Sequence, residues 1–298
     1  MKKIVLATLL AATGLVAQAQ VTVSGKISQW VDSTDTGGTK VTGMPLDPTS
    51  NIAIGVTEDL GGGLKARGVV ETSLKGNTVD GTNNTQFGDR QATVGLANKL
   101  GSIDLGRNVH SQFLAITNND PFGTLYGSIA GDVHNLRGLR FSNGTFVSVN
   151  VAPGVVATWD RSNNAPGAAD QTAGSITGSF KGVSVTAASY TSGDEKSTVV
   201  AGNTKLGNTT VSYIHSDNHS QTVGETKKGD QVGVAQKIGA FTAKASYGRT
   251  NTEVKAYNVG LDYAFSKRTE VGVAYRNVNL AGTTQDIKQV GVGLTHRF

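Results

Sequence analysis

Over residues 256–265, apolar side chains recur at every second position: Tyr257, Val259, Leu261, Tyr263 and Phe265. Ala256, Asn258, Gly260, Asp262 and Ala264 lie between them. The same alternation returns in 241–248, 271–276 and 290–295. Successive side chains of a strand point to opposite faces, so each segment has one apolar and one polar face. Short connections at 60–63, 99–101, 143–144, 181–182, 207–208, 239–240 and 266–268 mostly contain Gly or Asn, which accept the positive φ of tight hairpins. They alternate with more variable, often longer polar stretches at 35–50, 74–88, 109–135, 162–170, 193–196, 219–228, 251–253 and 279–285. This pattern predicts about sixteen antiparallel strands of ~10 residues, with short turns on one rim and longer loops on the other. Strands of that length cross a bilayer when tilted.

Composition decides which kind of all-β protein this is. Apolar residues make up only 37 % of the chain, and Gly accounts for 39 of its 298 residues. After the first twenty residues no apolar run approaches the ~18–20 that a spanning helix needs, which excludes a helical membrane protein. A closed sheet pairs all its backbone groups in lipid, with an apolar face outward and a polar face toward a wet lumen. A secreted β-sandwich also alternates, but needs larger core residues than the Gly, Ala and Val found here. The strand Gly and Ala are read as the mark of a wide sheet without a packed core. The fold class is therefore all-β, a closed 16-stranded antiparallel transmembrane barrel.

The start of the chain is a different kind of segment. Lys2 and Lys3 precede an apolar stretch over 4–16, and Ala17-Gln18-Ala19 offers small residues at a cleavage site. Residues 1–19 are expected to be a cleaved signal peptide and 20–298 the barrel, in the outer membrane of a Gram-negative cell. Loss of the two lysines takes the formal charge from +5 to +3. Export, and the lack of a dense basic stripe, argue against nucleic acid. With no Cys, disulfides, thiolate metal sites and cysteine nucleophiles are all excluded. Gly61-Gly62-Gly63-Leu64-Lys65 joins two strands with no helix behind it, so it reads as a turn rather than a phosphate loop. The histidines show no metal-ligand spacing, no Gly-x-Ser-x-Gly occurs, and the loops hold no dense oxygen array for Ca²⁺ beside Asp194 and Glu195. No enzyme activity, cofactor or metal is expected.

Several segments resemble the general porins of β-proteobacterial type: Thr57-Glu58-Asp59-Leu60-Gly61-Gly62-Gly63-Leu64-Lys65-Ala66, Phe87-Gly88-Asp89-Arg90-Gln91-Ala92-Thr93-Val94-Gly95-Leu96, and Gly101-Ser102-Ile103-Asp104-Leu105-Gly106-Arg107. Asp120-Pro121-Phe122-Gly123 and the ending Val292-Gly293-Leu294-Thr295-His296-Arg297-Phe298 belong to the same resemblance. Matches are dense over 51–123 and at the C-terminus; over 145–285 only strand spacing agrees. The resemblance implies a homotrimeric channel for passive diffusion of small hydrophilic solutes and ions. It also implies that the third long loop folds into the pore and sets acidic groups opposite a cluster of arginines.

The third long stretch, 109–135, is the longest, and a structureless loop of that length is uncommon unless functional. Asp120 and Asp132 on it, with Glu71 on the wall, are the candidates for the acidic side. Phe113, Phe122, Leu125 and Tyr126 are able to pin it. Parity puts Arg67 and Glu71 in the lumen, with Lys26 and Arg276. It also puts Arg140 there if Leu139 and Phe141 face outward. His134 is a further lumen candidate. Arg90 fits the family's constriction arginine by motif, but its parity and that of Arg137 point outward, so a bulge or rim position is required. Arg107 is placed where the strand gives way to the loop. Arg67, Arg90, Arg107, Arg137 and Arg140 thus form the expected basic side. Asn51 stands where the family often has arginine, and His134 is largely uncharged at neutral pH; both predict only a mild anion preference. The alternating run into Phe298 marks the C-terminal strand, the segment expected to engage the outer-membrane assembly machinery, and its aromatic suits the lipid interface. Two other functions fit the same barrel: an adhesin or structural surface protein, and a substrate-specific channel with specificity in 219–228 or 279–285.

Overall fold

The computed structural model describes residues 19–74, 86–134, 136, 138–163, 169–220, 225–280 and 286–298. Apart from Ala19, the expected leader lies outside these residues, and so does Arg137. The first strands are β1 (Gln20–Thr36), β2 (Thr39–Gly43), β3 (Asn51–Gly61), β4 (Leu64–Ser73), β5 (Gln91–Asn98) and β6 (Gly101–Val109). Two short helices follow, α1 (Ser111–Thr117) and α2 (Ala130–His134), and then β7 (Arg140–Ala152) and β8 (Val155–Ser162). The second half continues with β9 (Gln171–Phe180), β10 (Val183–Ser192), β11 (Glu195–Leu206), β12 (Thr209–Ser220) and β13 (Glu225–Ile238). It ends with β14 (Phe241–Thr250), β15 (Lys255–Ala264), β16 (Thr269–Asn279) and β17 (Ile287–Arg297).

From β3 to β17 every strand pairs antiparallel with the next in sequence. β1 closes the ring by serving two neighbours. Its first part pairs with β3, from Gln20↔Thr57 to Lys26↔Asn51. Its remainder pairs with β17, from Lys26↔Arg297 to Thr36↔Ile287. The terminal Phe298 completes the seam, exchanging backbone hydrogen bonds with Gly25 at 3.0 and 3.1 Å. No sheet edge is left in the ring, as lipid requires. The barrel has sixteen strands; the additional strand β2 is a short hairpin return against the end of β1.

The turns fall where the pattern puts them, except one. Asn143-Gly144 is not a turn but lies inside β7, and the chain reverses at Pro153-Gly154, where Gly154 has φ +76°. Asn143 does adopt a positive φ, 51°. It uses it for a bulge: the pairing passes from Gly106↔Gly144 to Asn108↔Phe141, so two residues of β7 oppose Arg107 alone. The bulge reverses the parity of the residues before it. Phe141, expected to face lipid, is fully buried inside, against His110, Phe146 and Tyr190.

The glycine reading also changes. Outward positions are lipid-facing aliphatics such as Val94, Ile103, Val185, Val232 and Val292, all largely exposed. Many inward glycines, however, do not border open water. A Cβ on Gly248 would lie 2.6 Å from Cγ2 of Val133, and one on Gly260 would lie 2.8 Å from Cε1 of Phe122. Gly233 receives Pro121, Gly291 receives Tyr126, and Gly293 lies under the Trp30 indole. The barrel does contain a packed core, formed between its inner wall and the β6–β7 connection; Gly233, Gly248, Gly260 and Gly291 are seats of that connection, and Gly293 seats the Trp30 indole on which its tip packs.

Candidate functional site

The β6–β7 connection turns into the barrel at His110. The His110 ring stacks on Phe141 and Tyr190 at 4.9 and 5.1 Å, and its Nδ1 accepts a 3.3 Å hydrogen bond from the Phe113 N–H at the start of α1. The Ser111 N–H donates to the Asp160 carboxylate at 2.6 Å. Ala115 and Ile116 of α1 then pack on Ala188, Val199, Ala201 and Ile214 of the wall. Further along, Ile129 and Val133 pack on Ala256 and Val278. At the tip Phe122 packs with Trp30 and Ala274, while Tyr126 stacks on Trp30 with ring centroids 4.0 Å apart. The Tyr126 hydroxyl donates to Asp32 at 3.0 Å. Of the side chains expected to pin the loop, Phe122 and Tyr126 do so directly. Trp30, an inward residue of β1, is the partner that the sequence reading did not single out.

Asp120, expected on the acidic side of the pore, serves the loop instead. It is 6 % exposed, and it accepts hydrogen bonds from the Thr124 N–H at 2.7 Å, Ser128 Oγ at 2.6 Å and Gln231 Nε2 at 3.0 Å. A carboxylate so enclosed fixes the loop to β13 rather than presenting charge to solute. Asp132 lies 3.1 Å from the Arg276 guanidinium, and its backbone carbonyl accepts from Lys227 Nζ at 2.7 Å. Burial pushes the Asp132 carboxyl above its ordinary range, against the pull of Arg276 and Lys227. Arg276 thus points inward as expected, but into the loop rather than the open channel. His134, offered as a lumen candidate, is completely buried in α2 with Nδ1 2.9 Å from Ser216 Oγ. Burial lowers its pKa to about 4, so it carries no charge near neutrality.

With this connection packed along β8–β16 and against Trp30 of β1, the wall of β3–β7 faces the open lumen. Arg67 forks onto Asp104, and Arg90 pairs with Glu71 and donates to the Pro48 carbonyl at 3.1 Å. Arg90 escapes strand parity because it precedes β5, in a turn where Gly88 has φ +81°. Arg107 donates to the Asp89 carbonyl at 2.7 Å and to Ser142, a residue of the bulge. Arg140, the first residue of β7, lies within electrostatic reach of Arg90, Arg107, Glu71 and Asp89. Neither Arg107 nor Arg140 has a carboxylate at ion-pair distance among the described residues. The Arg140 Nε is buried without a hydrogen-bond partner. Lys26 bonds Thr49 and lies 3.7 Å from Asp47, between Arg90 and Arg297 in the local field. Arg297, overlooked in the sequence, pairs with Glu270 at 2.7 Å on the same inner face; its alternation with outward His296 was the available signal. Asn51 occupies the gap an arginine would fill: its amide donates to Glu71, and its Oδ1 accepts from the Lys26 N–H at 3.1 Å.

A family model described as Gram-negative porin matches residues 6–298. The chain belongs to this family. The porin is accordingly an outer-membrane channel for passive diffusion of small hydrophilic solutes and ions. Among solved structures, it superposes on an anion-selective porin from Comamonas acidovorans with a TM-score of 0.81 and 20 % identity, over 94 % of this chain and 100 % of that one. Salmonella typhi OmpF, in complex with daunomycin, gives a TM-score of 0.74 at 18 % identity, covering 93 % of this chain and 97 % of the other. A substituted Rh. blastica porin gives 0.74 at 17 % identity, covering 94 % and 100 %. Comparison with curated protein sequences gives no match. Among the described residues of the porin, no group of three or more His, Asp or Glu side chains suits a metal ion.

Proposed function

We propose that the porin passes anions in mild preference to cations, and that the wall left open by the inward loop sets this preference. The carrying observation is the imbalance on that wall. Arg67, Arg90 and Lys26 each have a carboxylate partner, whereas Arg107 and Arg140 have none among the described residues. Opposite them, Asp120 is consumed by the loop and Asp132 is held by Arg276. Paired charges largely cancel at a solute's distance, so the two unpaired arginines leave a net positive throat, where low-dielectric walls strengthen the field. A reversal potential across a salt gradient tests this. The wild type should show modest anion preference, and R107Q/R140Q should remove most of it; an equal reversal potential in both would end the proposal.

The same reading includes export with the leader removed after Ala19, recognition of the C-terminal strand ending in Phe298 by the assembly machinery, and a homotrimer. The outer surface supports the trimer. Outward aromatics such as Trp159, Phe180, Tyr213, Tyr247 and Tyr257 lie on β8–β17, whereas no outward strand position of β1–β7 is aromatic among the described residues and Phe87 is exposed only in the turn before β5. Interfacial aromatics mark lipid contact, so the bare arc is the side that suits another protomer. Light scattering on the detergent-solubilised porin should give three protomers per particle; a monodisperse monomer with full conductance would refute this part.

A further inference from the structure

We propose that the short-turn mouth of the pore binds small multivalent oxyanions of the oligophosphate class, in a ring formed by Lys65, Lys99, Lys205, Lys237 and Arg268. Strand parity carries the inner faces of the wall out to these turns. Lys65 lies two residues before Arg67, which bonds Asp104 inside the barrel. Lys205 lies two beyond Asn203, which donates to Asn119 of the inward loop at 2.8 Å. Lys237 continues the face of Gly233, on which Pro121 sits, and Arg268 comes two before Glu270, the partner of inward Arg297. Lys99 follows by two Ala97, which stands opposite Lys65 in the register. All five cations are exposed. The neighbours of opposite parity are Leu100, Leu206 and Ile238, which are exposed on the outer side. At these turns the apolar residue therefore meets lipid and the cation meets the water of the mouth.

Deeper in the lumen, Lys26, Arg67, Lys244 and Arg297 each have a carboxylate partner, whereas none of the five mouth cations has one among the described residues. The acidic side chains near this rim are Glu58 and Asp59. Asp59 stands opposite Lys65 in the register, and its carboxylate accepts from the Gly61 N–H at 2.8 Å. The mouth is left with an excess of positive charge. At the long-loop rim both signs are interspersed and paired, as in Arg161 with Asp170 and Lys228 with Asp217. Successive turns on one rim lie two strands apart, about 10 Å. Lys205, Lys237 and Arg268 occupy successive turns and form one arc; Lys65 and Lys99 form another. Lys181 does not join them, because its ammonium lies over the outward Phe180 ring at 5.1 Å. A step of about 10 Å matches the Debye length at 0.1 M salt, so neighbouring fields overlap. A chain of phosphates spans two such cations and takes charge-assisted hydrogen bonds from each. A monovalent anion engages one cation at a time and passes on.

The test is conductance of the intact porin in a phosphatidylcholine bilayer at low salt, with inorganic tripolyphosphate added to one side at a time. From one side it should reduce the current at a concentration roughly tenfold or more below that needed from the other. K205Q/K237Q/R268Q should remove this difference, and K205R/K237R/R268K should keep it. Raising the salt to about 1 M, where the Debye length falls to ~3 Å, should also remove it. R107Q/R140Q should keep the sided block, so a failure of the wall reading and a failure of the mouth site are distinguishable. Phosphatidylglycerol in the bilayer should leave the block unchanged, because these cations face the mouth rather than the lipid. Equal block from both sides, a sided block that survives in K205Q/K237Q/R268Q, or its loss on adding phosphatidylglycerol would each overturn the assignment.

Discussion

Gly260→Val should free the tip of the inward loop while leaving the barrel closed. Gly260 lies on the inner face of β15, where an added Cβ would sit 2.8 Å from Cε1 and 3.1 Å from Cζ of Phe122, with the Val273 carbonyl at 3.3 Å. The wall side is ladder backbone and cannot retreat, so the Phe122 ring must move. That ring is 3 % exposed, wedged among Trp30 and Ala274 beneath Lys244 Nζ at 4.8 Å from its centroid. Overpacking of this kind costs about 1–3 kcal/mol, and ejecting a buried Phe forfeits about 1.5–3 kcal/mol. Either sum is small beside a closed ladder of sixteen strands, but comparable with what one loop tip can hold. Single-channel recording should therefore show G260V with altered conductance and added open-channel noise, while the protein still migrates as a folded barrel on an unheated gel. F122A vacates the seat, so the valine of G260V/F122A no longer meets a ring; the double variant should be no noisier than F122A alone, a coupling that contacting residues show and independent ones do not. Wild-type conductance and noise in G260V, or strictly additive effects in the double variant, would refute the role of inward glycines as seats.

Three further outcomes follow from the same geometry. D120N keeps the shape but loses the charge that gathers Thr124, Ser128 and Gln231; charge-assisted bonds contribute about 1.5–3 kcal/mol, so loop noise should rise with little change in selectivity. N51R should insert a cation between Lys26 and Glu71 and move the reversal potential further toward anions, and an unmoved potential would count against the wall assignment. Acid should loosen the loop through His134, whose pKa of about 4 when seated lies below the ordinary 6.5. Between those values the released loop binds a proton that the seated one does not, so seating weakens as pH falls, by about 1.4 kcal/mol per pH unit at most. Channel flicker should grow from pH 6.5 toward 4 in the wild type and less in H134Q, whereas identical profiles would remove His134 from the account.

Period-two alternation made the barrel legible because a tilted strand in lipid has to keep its apolar side outward over its whole length. That constraint holds for β14–β17 residue by residue, and there every assigned face agrees with the structure. It weakens where a strand bends. Asn143 suits a hairpin and a bulge equally well, since both use its positive φ, and only the partner strand distinguishes them: β6 has one residue, Arg107, where β7 has two. The 143–144 turn and outward Phe141 are the two consequences of that one ambiguity.

The candidate site was less legible than the barrel for a related reason. A pore narrows where the regular wall ends, so its charged groups lie where alternation no longer dictates direction. Arg90 sits in a turn before β5, Arg107 opposite a bulge and Arg140 at the first residue of β7; for Arg90 motif resemblance carried information that parity did not, while the parity used for Arg140 rested on an outward Phe141 that the bulge turns inward. On the acidic side, charge type alone was misleading. Asp120 and Asp132 lie on the same loop, but only contacts made after folding divide them, one bonded to Gln231 of β13 and the other to Arg276 of β16. On the proposed reading, ion preference follows from the subset of charges the fold leaves unpaired, and pairing is a three-dimensional property that no count of arginines and aspartates along the chain contains.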